Sequence, residues 1–317
     1  MIARAPGKLV LSGAYAVLEG APAIVAAVDR YVTADASRTA SFVTPEVAAA
    51  LEDRGASRAP FFDARELRDP ANGQKLGLGS SAAIVTASLA ALELTCDPLL
   101  DAAALAARVF APALAAHRRA QGGGSGIDVA ASTWGGVLRF RRGDRADDLP
   151  TATSTTLPPR LSLTVWSSRG AASTAEMLGK IAAFREAHPA ECRSLFTRLS
   201  TAAESAADAT SAPRYIAACR EQLDRFVELG RRSGAPIVSP EMQAFDEAIS
   251  HEGALILPSG AGGGDVVLLL SNGPPSDVGA SAARRFGFEP LSLSLGAEGV
   301  HAASAALFTT ESNENEA

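Results

Sequence analysis

A lysine, a pair of serines and an aspartate stand beside glycine-rich segments of the chain, and these residue types suit the handling of phosphate groups. The segment Lys75-Leu76-Gly77-Leu78-Gly79-Ser80-Ser81-Ala82 runs directly into a predicted helix. Glycines let backbone N–H groups turn toward one point, and a helix N-terminus adds partial positive charge. The segment therefore predicts an anion cradle, and it differs from a Walker loop because no Gly-Lys-Ser/Thr follows the glycines. A plain helix cap with glycine spacers is the open alternative.

A second glycine-rich segment, Ser259-Gly260-Ala261-Gly262-Gly263-Gly264-Asp265, enters an apolar strand. Four glycines in five positions exceed the one or two that a tight turn uses. Close approach of the backbone to a ligand favours such a sequence, and a flexible loop is the alternative.

A third segment, Gly122-Gly123-Gly124-Ser125-Gly126-Ile127-Asp128, ends in an acidic residue. The charge of Asp128 near a helix start is favoured by the helix dipole. From these residues alone, a structural carboxylate and a catalytic one are equally open.

Lysine is scarce in this chain, which makes its position informative. Of 29 cationic residues only three are lysines, namely Lys8, Lys75 and Lys180. Lys8 follows Ala5-Pro6-Gly7 at a strand entry, and a retained lysine among arginines indicates a required compact charge. A surface lysine is the alternative.

The pattern of expected strands and helices around these residues predicts an α+β protein of two domains. We expect domain 1–158, domain 159–310 and a disordered tail 311–317, with the boundary in the charged, Thr- and Pro-rich stretch 142–160. The strands are expected at Leu9–Leu11, Ala23–Val28, Val32–Ala36, Gly136–Arg141, Leu161–Trp166, Ala254–Leu257, Val266–Leu270 and Leu291–Leu295. The helices are expected at Pro45–Asp53, Ser80–Leu94, Leu99–Gln121, Thr174–His188, Ala190–Ala209, Pro213–Arg232, Pro240–His251 and Asp277–Phe286, with 54–73 loop-like.

Composition excludes several classes of function. The net charge of −6 over 317 residues, with no basic block, argues against nucleic acid as a partner. No stretch approaches the ~20 apolar residues of a membrane span, so no membrane partner is expected. Three cysteines without paired spacing indicate reduced thiols in a cytoplasmic protein, and four scattered histidines do not suggest a metal cluster.

Taken in order, the segments around Lys8, Gly79 and Gly262 resemble the three signature motifs of the GHMP kinases. The resemblance covers nearly the whole chain. Within that family, the chain is most similar to the phosphomevalonate kinases. The resemblance extends to Tyr15-Ala16-Val17-Leu18-Glu19-Gly20, where mevalonate kinases usually carry histidine at the tyrosine, and to Ala120–Ala131 and Trp166 with Ala172-Ser173-Thr174. It implies an N-terminal domain with a left-handed β-α-β unit, a C-terminal ferredoxin-like domain and ATP between them.

The implied reaction transfers phosphate from ATP to 5-phosphomevalonate with magnesium, in the mevalonate route to isoprenoids. The implied catalytic residues are Lys8 and Asp128. Ser81 is the implied magnesium ligand, with Ser80 as the alternative. The implied ATP-binding residues are Lys75, Gly77, Leu78, Gly79, Ser80, Ser81 and Ala82. The implied substrate-binding residues are Ser125, Gly126, Ser173, Thr174, Ser259, Gly260, Ala261, Gly262 and Gly263. The arginines 118, 139 and 141 and Lys180 are further candidates, among which the sequence does not choose.

The chain departs from the family pattern at two points. Ala14 stands where the family usually has glutamate, and Leu257-Pro258 precedes the third motif where lysine is frequent. Two alternatives stay open: a GHMP kinase for an alcohol such as mevalonate or a sugar, and a silent ATP-binding regulatory protein. A monomer and a homodimer are both compatible with the sequence.

Overall fold

The structure is a computed structural model that describes residues 1–143, 145, 148–168, 174–263, 266–274 and 277–304. The strands are β1 (Ile2–Ser12), β2 (Ala23–Thr39), β3 (Pro60–Asp63), β4 (Val137–Arg141), β5 (Thr151–Ser154), β6 (Leu161–Ser167), β7 (Leu255–Pro258), β8 (Val266–Asn272), β9 (Glu289–Pro290) and β10 (His301–Ala303). The helices are α1 (Pro45–Arg54), α2 (Ser80–Cys96), α3 (Ala102–Gln121), α4 (Ile127–Trp134), α5 (Thr174–Ala187), α6 (Pro189–Ala207), α7 (Ala212–Ser233), α8 (Pro240–Ser250) and α9 (Asp277–Arg285). Single 3-10 turns lie at Ala16–Glu19 and Arg65–Leu67.

The chain divides into two compact units that interleave along the sequence. Unit 1 contains 1–8, 26–136 and the chain from 294 onward, and unit 2 contains 9–25 and 137–293. Strands β1 and β2 therefore each contribute residues to both units. The expected domain boundary at residue 158 stays a prediction.

In unit 1, the strand order is β10-β1-β2-β3, and β10 pairs antiparallel with β1 through Ile2↔Ala303. Helix α2 is buried along most of its length because it is apolar on every side. Helices α1, α3 and α4 pack around it. A central apolar helix of this kind fixes the position of its own N-terminus, which is the end that carries the first glycine-rich loop.

In unit 2, a four-stranded sheet has the order β7-β8-β6-β9, and β8 runs antiparallel to both β6 and β7. One face of the sheet packs on a core that includes Trp166, Met242, Phe245, Ile256 and Leu269. Helices α6 and α7 pack against each other, and α7 also packs on β7 and β8. In the described residues of both units, no helix is long and apolar enough to span a membrane.

The α+β class is confirmed, and most helices lie within a few residues of their expected bounds. The expected break at Asp29 and Arg30 is wrong, because β2 continues through them. The Asp29 N–H donates to Ser294 O at 3.1 Å, and Asp29 Oδ1 accepts the Ser294 N–H at 2.6 Å, so the polar residue is hydrogen-bonded within an extended chain.

Three further differences concern short strands. The expected strand Leu291–Leu295 is not formed; the strand in this region is the two-residue β9. The loop-like stretch 54–73 contains β3, which pairs with β2. The boundary stretch 142–160 contains β5, which pairs with β4.

Candidate active site

The first glycine-rich loop lies in unit 1 and leads into the N-terminus of helix α2. Gly77 and Gly79 have φ of +70° and +77°, a backbone conformation that side chains disfavour. Gly79 is the N-cap of α2, and Ser80 and Ser81 are its first two residues, both half-buried. The unpaired N–H groups of the first turn and the two hydroxyls therefore lie together, as an anion-binding site requires.

Lys8 lies directly against this loop. Its backbone N–H donates to Leu78 O at 2.8 Å, and the residue is only 6% exposed. A Cβ added to Gly79 would lie 3.0 Å from both Cγ and Cε of Lys8. The glycine thus serves two purposes, a left-handed backbone and room for the lysine stem.

Asp128 faces Lys8 from the first turn of α4. The Lys8 Nζ lies 3.5 Å from Asp128 Oδ1, and the carboxylate side chain is 32% exposed. Gly126, the N-cap of α4, has φ +84°, and a Cβ there would approach Leu114 Cδ1 to 2.3 Å. Glycine at this position lets the loop turn tightly onto α3 and brings the aspartate to the lysine.

One turn further along α4, Ser132 fixes the strand that carries the lysine. Its hydroxyl is fully buried and donates to Pro6 O at 2.8 Å. Residues four apart lie on one face of a helix, so Asp128 and Ser132 both face the same segment of β1. Helix α4 therefore holds both the backbone before Lys8 and the charge of Lys8 itself.

His117 of α3 also lies at this site, although no motif in the sequence points to it. Its Nε2 lies 3.1 Å from the Ser81 hydroxyl, and both residues are half-buried. The spacing of the four histidines carries no sign of this contact, because it depends on how α3 packs on α2. The imidazole orients the serine hydroxyl that the sequence predicts as a metal ligand.

The second glycine-rich loop lies in unit 2, between β7 and β8, and is described from Ser259 to Gly263. The Ser259 hydroxyl accepts the Val10 N–H at 3.0 Å and donates to Val10 O at 3.2 Å. Gly260, Gly262 and Gly263 have φ between +79° and +82°. A Cβ on Gly262 would lie 2.3 Å from Ile237 O, so close backbone approach explains the glycine at that position.

The remaining predicted site residues are distributed as follows. The Ser125 hydroxyl accepts the Ile127 N–H at 3.3 Å, and Ala82 is buried in α2. Lys75 is exposed and its backbone pairs with that of Arg68. Ser173 lies outside the described residues, as do Gly264 and Asp265, and Thr174 is the first residue of α5.

Three of the further cationic candidates have salt bridges within unit 2. Arg139 pairs with Asp208 at 2.5 Å, and Arg141 pairs with Glu204 at 2.7 Å. Lys180 pairs with Glu176 one turn earlier on α5, at 2.9 Å. Each cation therefore already has a carboxylate partner.

Comparison with known proteins finds relatives that match most of the chain. The GHMP kinases N terminal domain matches residues 70–136, which include the first glycine-rich loop, His117 and Asp128. A mevalonate kinase of Archaeoglobus fulgidus is 29% identical over 86% of this chain and 93% of the relative. A phosphomevalonate kinase of a Streptomyces species is 28% identical over 95% of this chain and 98% of the relative. The resemblance of the chain to the GHMP kinases is thereby confirmed.

The fold of the chain is also similar to that of solved kinases. A structure of Streptococcus pneumoniae phosphomevalonate kinase in complex with phosphomevalonate and AMPPNP superposes with a TM-score of 0.73 at 20% identity, covering 93% of this chain and 99% of that one. The two-domain α+β GHMP kinase fold expected from the motifs is thereby confirmed. The similarity to these kinases supports a phosphotransferase.

Proposed function

We propose that this protein is a GHMP kinase that transfers the γ-phosphoryl group of ATP to 5-phosphomevalonate, forming ADP and 5-diphosphomevalonate. The observation that carries the proposal is the placement of Lys8, buried between Gly79 of the anion cradle and the Asp128 carboxylate. A buried lysine at a helix N-terminus is a compact positive charge where phosphate oxygens would bind.

Charge neutralisation is the main demand of this reaction. Two unit charges 4 Å apart repel by about 4 kcal/mol at an effective dielectric constant of 20, and an acceptor phosphate meets several charges on the ATP γ-phosphate. Lys8 and the N–H groups at the start of α2 offset that repulsion. Residues Lys75 and Gly77 to Ala82 are proposed to bind the phosphates of ATP.

The acceptor needs little help from a base. A phosphate monoester has a second pKa of about 6, so it is largely a dianion at neutral pH. Its oxygen forms the new bond to the γ-phosphorus while the bond from phosphorus to the ADP oxygen breaks, and ADP leaves with the electron pair. Asp128 then orients Lys8 rather than removing a proton.

Magnesium fits the donors at the cradle. The described residues contain no group of three or more His, Cys, Asp or Glu side chains that could hold a metal ion. Mg²⁺ is commonly held through one or two protein oxygens and the substrate phosphates, and the Ser81 hydroxyl beside His117 supplies such an oxygen. When bound, the ion neutralises charge on the ATP phosphates.

As acceptor-binding residues we propose Ser125, Gly126, Ser173, Thr174 and the residues from Ser259 to Gly263. The phosphorylated acceptor is supported by the Tyr15–Gly20 motif and by the Streptomyces phosphomevalonate kinase, whose full length the chain matches. Mevalonate is the second candidate, supported by the Archaeoglobus mevalonate kinase at similar identity.

The test is ADP release from ATP and Mg²⁺ with 5-phosphomevalonate, mevalonate and galactose as separate acceptors. The proposal predicts turnover with 5-phosphomevalonate at a kcat/KM at least about 100-fold above that with mevalonate, because its phosphate is both nucleophile and binding group. Preference for mevalonate would establish the alcohol kinase. Nucleotide binding by calorimetry without ADP release on any acceptor would establish the silent ATP-binding protein.

A further inference from the structure

Tyr15 has an unusual backbone conformation. Its φ of 61° and ψ of −48° place it at the centre of a γ-turn, in which the Ala16 N–H donates to Ala14 O at 2.7 Å. A γ-turn with a positive central φ is rare and strained, and a bulky aromatic residue is among the least suited to it. Among the described residues, only Tyr15 and Arg160 have positive φ without being glycine.

The Tyr15 side chain holds this conformation in place. The residue is 5% exposed, and its ring meets that of Phe226 edge-on, with ring centroids 5.8 Å apart. The hydroxyl donates to Ala261 O at 2.5 Å. Burial raises the pKa of Tyr15, so the phenol keeps its proton and remains a donor at all working pH values. Backbone strain persists where the surroundings fix it, and such residues cluster at functional sites.

The hydrogen bond of Tyr15 holds the middle of the second glycine-rich loop. Ser259 fixes the start of the loop to Val10, and the Gly263 N–H fixes its end by donating to Ile237 O at 3.1 Å. Between them, the peptide from Ala261 to Gly262 is tied to Tyr15. Glycines 260, 262 and 263, all with positive φ, would otherwise leave this peptide free to rotate.

The orientation of that peptide decides where its N–H points. A trans peptide is planar, and its C=O and N–H point in opposite directions. Because Tyr15 draws the Ala261 carbonyl toward itself, the Gly262 N–H points away from Tyr15. No acceptor among the described residues pairs with this N–H, and Gly262 is partly exposed.

We propose that Tyr15 is a positioning residue that aims the Gly262 N–H at a phosphate oxygen of the acceptor. The inference deepens the proposed function and rests on it for the identity of the ligand. The way in which Tyr15 holds the loop does not depend on the proposed function, because it follows from contacts within the chain.

The test compares Tyr15→Phe with Tyr215→Phe in the full chain by hydrogen–deuterium exchange. Tyr215 is the matched control because it is also buried, at 1% exposed, and its hydroxyl donates to a backbone carbonyl, Leu11 O, at 3.1 Å. Loss of one hydrogen bond should speed exchange in segment 259–263 about three- to tenfold in Tyr15→Phe and leave it unchanged in Tyr215→Phe. Unchanged exchange in Tyr15→Phe, or an equal rise in both variants, would overturn the proposal.

Kinetics separates this inference from the proposed function. In Tyr15→Phe the KM for 5-phosphomevalonate should rise about fivefold, and the KM for ATP should change less than twofold, because the loop is assigned to the acceptor. A rise confined to the KM for ATP would overturn the assignment of the Gly262 N–H to the acceptor. If the wild-type chain has no kinase activity, the proposed function fails, while the exchange data still decide the role of Tyr15.

A second variant covers the case in which Tyr15→Phe does not fold. Phe226→Leu keeps the Tyr15 hydroxyl but removes the ring that supports it. It should speed exchange in segment 259–263 by about twofold or more, and exchange equal to wild type would count against the proposal.

Discussion

Lys8 and Asp128 lie 3.5 Å apart, Nζ to Oδ1, although they belong to a β-strand and a helix far apart in the sequence. The backbone N–H of Lys8 is bound to Leu78 of the first glycine-rich loop, and Asp128 faces Lys8 from the first turn of α4. The carboxylate is partly exposed, while the lysine is almost fully buried. A cation held in this way is oriented before any ligand binds, which is the arrangement that electrostatic stabilisation of phosphoryl transfer requires.

Gly79→Ala should impair activity through Lys8. The added Cβ would lie 3.0 Å from the lysine stem, in a left-handed backbone conformation. Gly55→Ala is the control, because it shares the positive φ but meets nothing within 4 Å. Urea unfolding should show a loss of about 1–2 kcal/mol in the free energy of unfolding for both. ADP release should fall at least about tenfold for Gly79→Ala alone, and equal activity in the two variants would contradict the crowding of Lys8.

Ser132→Ala should destabilise the protein because it removes the hydrogen bond that the buried Ser132 hydroxyl donates to Pro6 O. The expected loss in the free energy of unfolding is about 1–3 kcal/mol. Ser88→Ala is the matched control, since its hydroxyl is also buried in a helix and has no hydrogen-bond partner among the described residues. Similar losses in the two serine variants would show that the bond to Pro6 contributes nothing.

His117→Ala should weaken the binding of nucleotide only when magnesium is present. The imidazole contacts the Ser81 hydroxyl, and loss of a partner that orients a metal ligand commonly lowers metal affinity about 10-fold. Calorimetry of ADP with and without Mg²⁺ measures the difference, with the exposed His251→Ala as control. An equal loss in both conditions would mean that His117 only supports the helix.

Asp128→Asn should reduce kcat by about 10- to 100-fold, less than removal of the lysine charge. The amide keeps the size of the side chain but loses its attraction for Lys8, and the acceptor dianion needs no deprotonation. The measurement is kcat for ADP release with 5-phosphomevalonate. A loss as complete as that of Lys8→Met would identify Asp128 as a general base and favour an alcohol acceptor.

The sequence predicts the local parts of this molecule well. The glycine loop before Ser80 and the helix after it depend on neighbouring residues, so the pattern alone places both. Strand β10 and the long β2 depend instead on pairing with distant segments, as in Ile2↔Ala303, and no local pattern shows this.

The same distinction applies to the site. Lys8 and Asp128 are found from motif residues, whereas the contacts of His117 with Ser81 and of Tyr15 with Ala261 depend on tertiary packing. The γ-turn at Tyr15 is contrary to the preference of its own residue type, so only the folded chain reveals it.

The initial rate of ADP release tests most directly whether the charge of Lys8 enables phosphoryl transfer. The rate is measured with saturating 5-phosphomevalonate, ATP and Mg²⁺ for wild type, Lys8→Met and Lys180→Met. Lys180 is the control because its charge pairs with Glu176 on an exposed helix face. We expect Lys180→Met to match wild type, and Lys8→Met to remain folded by thermal unfolding but lose at least about 100- to 1,000-fold in rate. A folded Lys8→Met variant with near-normal turnover would contradict the central role of Lys8.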